Sequence, residues 1–371
     1  MKHRCSLRSI KRGICLCTFA LLTSLSACHD DNPAISGDPK ERIVALAREN
    51  NLPTLTVLIQ KDTGTYALHY KNPHADIQEI ETYGIGSTTK FLSAIVILKY
   101  VEQNYLRLDD PINHYIAEKD LTTISWFSAI TLRHLLNHTS GIPDYTQNPA
   151  WLESAFNGNA PATTPEKIAL IPSDNNYALG QFRYSNSNYI LLQQILEQVS
   201  GQSAQKIFND FYTSIGLRDI TLDTGDVYGQ AFYAENALSS RNVSTWQEHY
   251  GYDGAAYASA DDLATLLKKV FVEKTILQEE SLTAMTTWTT MGDRSLRYGE
   301  VTIDRYGLGL TQFQLGDRIF IGHPGGTLKY QSFAFIEPAT GTTFILLTNG
   351  AGPYYTKAFF SSILNEAIKI L

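Results

Sequence analysis

The chain has 371 residues and a formal net charge of −7, which becomes −12 once the first 27 residues, carrying five basic and no acidic side chains, are set aside. A body of that sign argues against nucleic acid as a partner and against docking on an anionic membrane surface. All four cysteines (Cys5, Cys15, Cys17, Cys28) lie in the leading segment, so no disulfide framework is expected, and the 344 residues that follow position 27 suffice for one large domain or two interleaved lobes.

Residues 1–27 read as a secretory signal, with a basic start (Lys2, Arg4, Arg8, Lys11, Arg12), an apolar run over 14–25 and small residues after it. The run is short for a membrane span. It ends in Leu25-Ser26-Ala27-Cys28, which resembles the bacterial lipobox, where the signal is cut before a cysteine that becomes lipid-modified. The expectation is an exported protein of the bacterial cell envelope, lipid-anchored at Cys28 and periplasmic or surface-facing. Residues 28–40, rich in Asp, Pro, Ser and Gly, read as its tether. The alternative is an ordinary cleaved signal with an incidental cysteine.

The folded body is expected over 41–371. Apolar spacing predicts a short helix over 41–50, and β-rich runs over 54–60 and 65–70 around Asp62-Thr63-Gly64 predict a hairpin. Next comes Gly84-Ile85-Gly86-Ser87-Thr88-Thr89-Lys90. Residues three apart share a helical face, so the Ser87 hydroxyl and the Lys90 amine fall within reach of each other. From Phe91 to Leu98 only Ser93 is polar, which predicts a helix buried on all sides. Burial favours an uncharged amine, able to take the serine proton. The competing reading makes Ser87 a helix cap and lets Lys90 extend to solvent.

Leu108-Asp109-Asp110-Pro111 reads as a turn, and a helix is predicted over 130–141, ending at Gly141. On such a helix His134 and His138 would share a face and could bind zinc. Leu135 stands where a metalloprotease helix carries its glutamate base, so no metal is expected and His138 reads as a hydrogen-bonded structural residue. Arg183-Tyr184-Ser185-Asn186-Ser187-Asn188 opens a second apolar helix that ends at Gly201, and Ser259 with Asp262 predicts a capping box on a helix over 261–272. Strands are predicted over 310–315, 318–322, 330–336 and 343–348, and a closing amphipathic helix over 354–371. Gly322-His323-Pro324-Gly325-Gly326 is expected between two of these strands, its glycines letting a substrate approach the strand's backbone. Strands at both ends of a helical middle predict an α+β fold, in which one antiparallel sheet built from both chain ends is flanked by helices and carries an inserted, mostly helical lobe.

Three motifs, Ser87-x-x-Lys90, Tyr184-x-Asn186 and His323-x-Gly325, stand in this order. With Leu108-Asp109-Asp110-Pro111 and Leu135-Leu136-Asn137-His138-Thr139-Ser140-Gly141, the chain from residue 41 onward resembles the serine β-lactamase and penicillin-binding-protein superfamily. The resemblance is to its branch of class C β-lactamases, D-Ala-D-Ala carboxypeptidases, D-aminopeptidases and esterases. It implies that Ser87 is acylated, that Lys90 and Tyr184 remove its proton, and that Asn186 holds the substrate amide and Lys90. It further implies an oxyanion site made by the backbone N–H groups of Ser87 and Gly326, beside Gly325, with no cofactor and no metal.

The implied substrate is a small peptide or acyl compound, peptidoglycan included, and the implied activity is that of a D-Ala-D-Ala carboxypeptidase or related D-specific peptidase. An esterase, a class C-like β-lactamase and a non-catalytic, lipid-anchored sensor that binds penicillin or peptidoglycan are the alternatives. His323 occupies a position where β-lactamases of this branch carry lysine, and Lys329 stands where relatives often have glycine. An α/β-hydrolase elbow fits neither Ser87 nor Ser140, because Thr89 and His138 occupy positions that need glycine.

Overall fold

Apolar and β-branched residues near the start of the body form the expected hairpin, Thr54–Lys61 with Gly64–Lys71, in register from Thr54↔Lys71 to Lys61↔Gly64. The hairpin joins the end of the chain. Thr54–Lys61 also pairs antiparallel with Thr342–Thr348, from Leu55↔Thr348 to Gln60↔Thr343. The sheet then continues through Gln331–Glu337, Arg318–Gly326, Thr311–Leu315, Val301–Tyr306 and Thr289–Thr290, with Leu296–Tyr298 paired to Val301–Tyr306. The computed structural model describes residues 37–74, 81–116, 127–173, 177–223, 232–236, 239–243, 248–350 and 360–371. The signal, Cys28 and the tether up to residue 36 lie outside them, and Gly37–Leu371 forms one compact unit.

The sheet separates two cores because side chains alternate across a strand. Phe333, Phe335, Phe344 and Leu346 face the helices Pro39–Glu49 and Phe360–Ile368, meeting Ile43, Ala47, Ile363 and Leu364. Ala334, Ile336, Ile345 and Leu347 face the other way, toward the helix Ala260–Phe271 and the middle lobe. Every residue of Gln331–Glu337 and Thr342–Thr348 is buried, as expected for central strands covered on both faces. The middle lobe packs Thr89–Glu102 against Asn186–Ser200 and Ala204–Ser214. The mixed α and β architecture, with one antiparallel sheet drawn from both chain ends, is the one the sequence predicts.

Three elements differ from expectation. The helix over 130–141 is only Leu132–Leu136, because His138 takes a left-handed backbone (φ 59°) and turns its ring into the core. The histidine motif is not a loop between strands but lies inside the strand Arg318–Gly326. The capping box at Ser259 is half made. Ser259 accepts from the Asp262 N–H (3.2 Å), while the Asp262 carboxylate accepts from the Asp219 N–H (2.9 Å). The closing helix is described as Phe360–Ile368, and the expected start over 354–359 lies outside the described residues.

Candidate active site

The Ser87-x-x-Lys90 motif starts in a tight turn, Gly86–Thr88, that feeds directly into the helix Thr89–Glu102, whose residues Thr89 to Leu98 are all buried. Gly86 has φ 48°, and a side chain there would meet the backbone N of Gly326 at 2.6 Å. A side chain at Gly325 would stand 1.9 Å from the Ile85 carbonyl oxygen and 2.8 Å from the Thr88 nitrogen. The strand therefore lies against the nucleophile turn backbone to backbone, which only glycine permits. Gly325 thus admits the Ser87 turn on one side, a use the sequence did not announce, while it also lines the cleft. Thr88 Oγ1 donates to the His323 carbonyl (2.9 Å) and Ser332 Oγ to that of Ile85 (2.7 Å), fastening the contact.

Lys90 is completely buried and its Nζ has three partners: Ser87 Oγ at 3.1 Å, Asn186 Oδ1 at 2.7 Å and the Asp253 carbonyl oxygen at 2.5 Å. Asn186 is oriented by its other end, since Nδ2 donates to Asp144 Oδ2 (3.1 Å) and Thr146 Oγ1 (3.2 Å). Two of the three partners can only accept. A neutral amine has two hydrogens, which those acceptors hold, so its lone pair is left facing the Ser87 hydroxyl. Burial lowers the Lys90 pKa to about 8, against the opposing pull of Asp253 and Asp144. Asn186 Nδ2 is thus engaged by Asp144 and Thr146, which aims Oδ1 at Lys90.

Tyr184 lies with its ring centroid 4.9 Å from Lys90 Nζ. Its hydroxyl is buried without a hydrogen bond of ordinary geometry among the described residues. Burial pushes its pKa well above 10, with the Ser87 hydroxyl opposing, so the phenol is protonated at neutral pH.

Behind it runs a polar chain whose proton positions its partners settle. His138 Nδ1 accepts from the Ser185 N–H (3.2 Å) and faces Asn188 Nδ2 (3.0 Å), so its proton sits on Nε2, 3.1 Å from Tyr306 Oη. The Tyr306 hydroxyl can then donate to His323 Nε2 (3.0 Å), and His323 Nδ1–H donates to the Pro324 carbonyl (2.5 Å). Burial and the nearby Lys90 charge push the His323 pKa down to about 3. The ring is thus neutral with both nitrogens occupied, and has no N–H to offer a substrate.

Ser87, Tyr184, His323, Gly325 and Gly326 line one cleft of about 630 Å³, with Lys90 and Asn186 behind its wall. His134 is elsewhere, with Nδ1 3.1 Å from the Thr131 N–H as part of a helix cap, so the spacing that suggested zinc does not bring the two histidines to one face. Lys329 is buried beside Glu248, whose carboxyl burial pushes up to about 7; the Leu328 N–H, the Tyr250 hydroxyl and the Lys329 charge oppose that rise. The sequence reading missed Asp144, Asp253 and Tyr306. Asp253 carried a signal, an acid within Gly251-Tyr252-Asp253-Gly254, whereas nothing local marks the other two.

Comparison with known proteins bears on the fold and the family. The Beta-lactamase family model matches residues 40–359. A D-stereospecific amidohydrolase from Streptomyces sp. superposes with a TM-score of 0.73 at 22% identity, over 88% of this chain and 97% of that one. The D-amino acid amidase of Ochrobactrum anthropi SV3 gives 0.72 at 17% identity, over 90% and 99%. Protein flp of Staphylococcus aureus (strain MW2) is 22% identical across 84% of this chain but only 62% of its own length, so the chain spans less than two thirds of that relative. With a family match over most of its length and a serine and a buried lysine joined at one cleft, the chain belongs to the Beta-lactamase family and is a serine hydrolase of the β-lactamase and penicillin-binding-protein superfamily.

Proposed function

We propose that the protein cleaves amide bonds of D-configured residues, with D-Ala-D-Ala-type cell-wall peptides as its substrate class, through an acyl-enzyme on Ser87. The observation that carries this reading is the buried Lys90 amine, 3.1 Å from Ser87 Oγ and lowered to about 8. Neutral Lys90 takes the Ser87 proton as Oγ attacks the carbonyl carbon, and the N–H groups of Ser87 and Gly326 receive the developing oxyanion. Tyr184, starting as the protonated phenol, passes a proton to the leaving nitrogen and is replenished from Lys90. Water then repeats the sequence to release the acid. D-specificity is supported by the names of two solved neighbours, a D-stereospecific amidohydrolase and a D-amino acid amidase. Poor β-lactam turnover follows from His323, which is neutral where lactamases of this branch have a lysine. The anchor belongs to the same proposal: Cys28 lipidated after removal of residues 1–27, holding the enzyme at the cell envelope.

The test compares kcat/KM across D-Ala-D-Ala peptides, D-amino-acid amides, their L-counterparts, short esters and a chromogenic cephalosporin. A D-peptide or D-amide is expected to lead. A cephalosporin above all of them would make the protein a β-lactamase, and stoichiometric acylation of Ser87 without turnover would make it a sensor.

A further inference from the structure

The turn that leaves the strand Arg318–Gly326 is held from outside the cleft by a buried acid. Glu248 is completely buried, and its Oε1 accepts from two donors, the Leu328 N–H (2.6 Å) and the Tyr250 hydroxyl (3.0 Å). Tyr250 is seated in turn: its carbonyl accepts from Lys167 Nζ (3.2 Å), and its ring centroid lies 5.8 Å from that of Trp151. The acid therefore ties the turn to the middle lobe. Burying a carboxylate is costly, and a group needed only to accept from an N–H requires no charge.

The turn, residues 327–330, is closed on itself. The Thr327 N–H donates to the Tyr330 carbonyl (2.9 Å), and Thr327 Oγ1 accepts from the N–H groups of Lys329 (2.9 Å) and Tyr330 (2.9 Å). Because Leu328 sits between these bonds with its own N–H on Glu248, a change in that bond moves the turn as a body. Both ends of the turn reach the site. Gly326 directly precedes it and lines the cleft with Ser87. At the other end the Tyr330 ring lies against Gly84, where an added methyl group would meet Cδ2 at 2.7 Å, three residues before Ser87. The two backbone N–H groups assigned to the oxyanion thus belong to segments that this turn joins or touches.

We propose that Glu248 is a positioning residue for the reaction at Ser87: through the Leu328 N–H its carboxylate holds the turn 327–330, and with it the oxyanion N–H of Gly326, in working position. The inference rests on the reading that Ser87 is the nucleophile and Lys90 its base, and it adds a second proton to that reading. A carboxylate accepts a hydrogen bond more strongly than a carboxylic acid, so the hold loosens when Glu248 is protonated. Lys329 in the turn, Tyr250 beside the carboxyl and Tyr330 at the turn's end surround it. Burial keeps both phenols neutral, and the Lys329 charge favours the carboxylate. With burial pushing the Glu248 pKa up to about 7, fast acylation should need two deprotonations, one at Glu248 and one at Lys90.

The test is the rate at which a p-nitrophenyl alkylphosphonate labels the full chain from about pH 5 to about pH 9, read by intact mass. The phosphonyl group passes to Ser87 Oγ, p-nitrophenolate leaves and the serine proton passes to Lys90. In the natural protein the logarithm of the rate should fall by about one per pH unit below about 8 and by about two below about 7. Glu248→Gln keeps an acceptor for the Leu328 N–H without a charge. It should label within about three-fold of the natural rate at about pH 9 and lose the steeper limb. Glu248→Ala removes the acceptor. It should label about ten-fold more slowly or worse at that pH and shift the phosphorus NMR signal of the labelled, folded protein, a signal that Glu248→Gln leaves near its natural place. A natural profile with one deprotonation, a Glu248→Gln profile that keeps both, or an alanine variant with the natural rate and signal would overturn the positioning role. A natural protein that the reagent leaves unlabelled at Ser87 would overturn the nucleophile assignment itself and the inference with it.

Discussion

Lys90 has two partners that can only accept and one that can do either, and this asymmetry decides its chemistry. With the neutral amine as the base proposed above, the rate of Ser87 acylation should rise with pH through about 8 and level off above it. The same shift costs stability. An unfolded lysine near 10.5 binds its proton more tightly than the folded one near 8, so the penalty is full below about 8 and is relieved as pH climbs between the two values. Lys90→Arg should lower acylation by roughly 10⁴-fold or more, since guanidinium cannot give up its proton. An active arginine variant with an unchanged pH profile would show that Lys90 supplies charge alone. His323 makes a different prediction. With its pKa pushed down to about 3, nitrogen NMR should find one neutral tautomer, protonated at Nδ1 and bare at Nε2, with no titration between pH 5 and 8. A doubly protonated ring at pH 6 would contradict the chain from His138 through Tyr306. Ser87 and Lys90 were legible in the sequence because their relation is local to one helical turn. Tyr306 and Asp144 were not, because their partners approach across long stretches of sequence that only the fold joins.

Among the elements, the joint between the strand Arg318–Gly326 and the turn Gly86–Thr88 is the tightest at the site, and it gives a matched pair of glycine predictions. Gly325→Ala puts a methyl group into the Ile85 carbonyl and Thr88 nitrogen, so the strand must separate from the turn. That should cost about 2 to 4 kcal/mol and lower turnover together with stability. Gly316→Ala, at φ 59° with nothing within 4 Å of the added carbon, should cost only about 1 kcal/mol, the strain of a left-handed alanine, and spare turnover. Urea unfolding of both variants checks this, and equal losses would show that the joint is looser than its geometry. The hairpin and the late strands were legible from alternation and turn residues. The histidine motif was misread as a loop because glycine and proline signal turns, whereas here glycine serves close backbone approach and Pro324 sits in a strand. The helix over 130–141 was overread because its apolar pattern continues into residues that His138 turns inward.

At the scale of the whole molecule, the sheet drawn from both chain ends was legible from where the strand-like runs fall, since a helical middle leaves them no other neighbours. The anchor is the prediction that belongs here. Cys28→Ser should move the protein from the membrane fraction to the soluble one, or leave its precursor uncut. A processed variant that still partitions with detergent would refute lipidation at Cys28. Firm attachment requires more than one acyl chain, as a single chain binds only weakly.

The pairing of Thr54–Lys61 with Thr342–Thr348 also sets a clock on synthesis. The ribosome makes the hairpin and the Ser87 helix early and their sheet neighbours last, so for most of translation the hairpin has an unpaired edge and Ser87 lacks the strand that lies against it. A growing chain therefore carries its serine and lysine but not the wall that completes their cleft. The cleft around Ser87 can close only once the strand Arg318–Gly326 has been made.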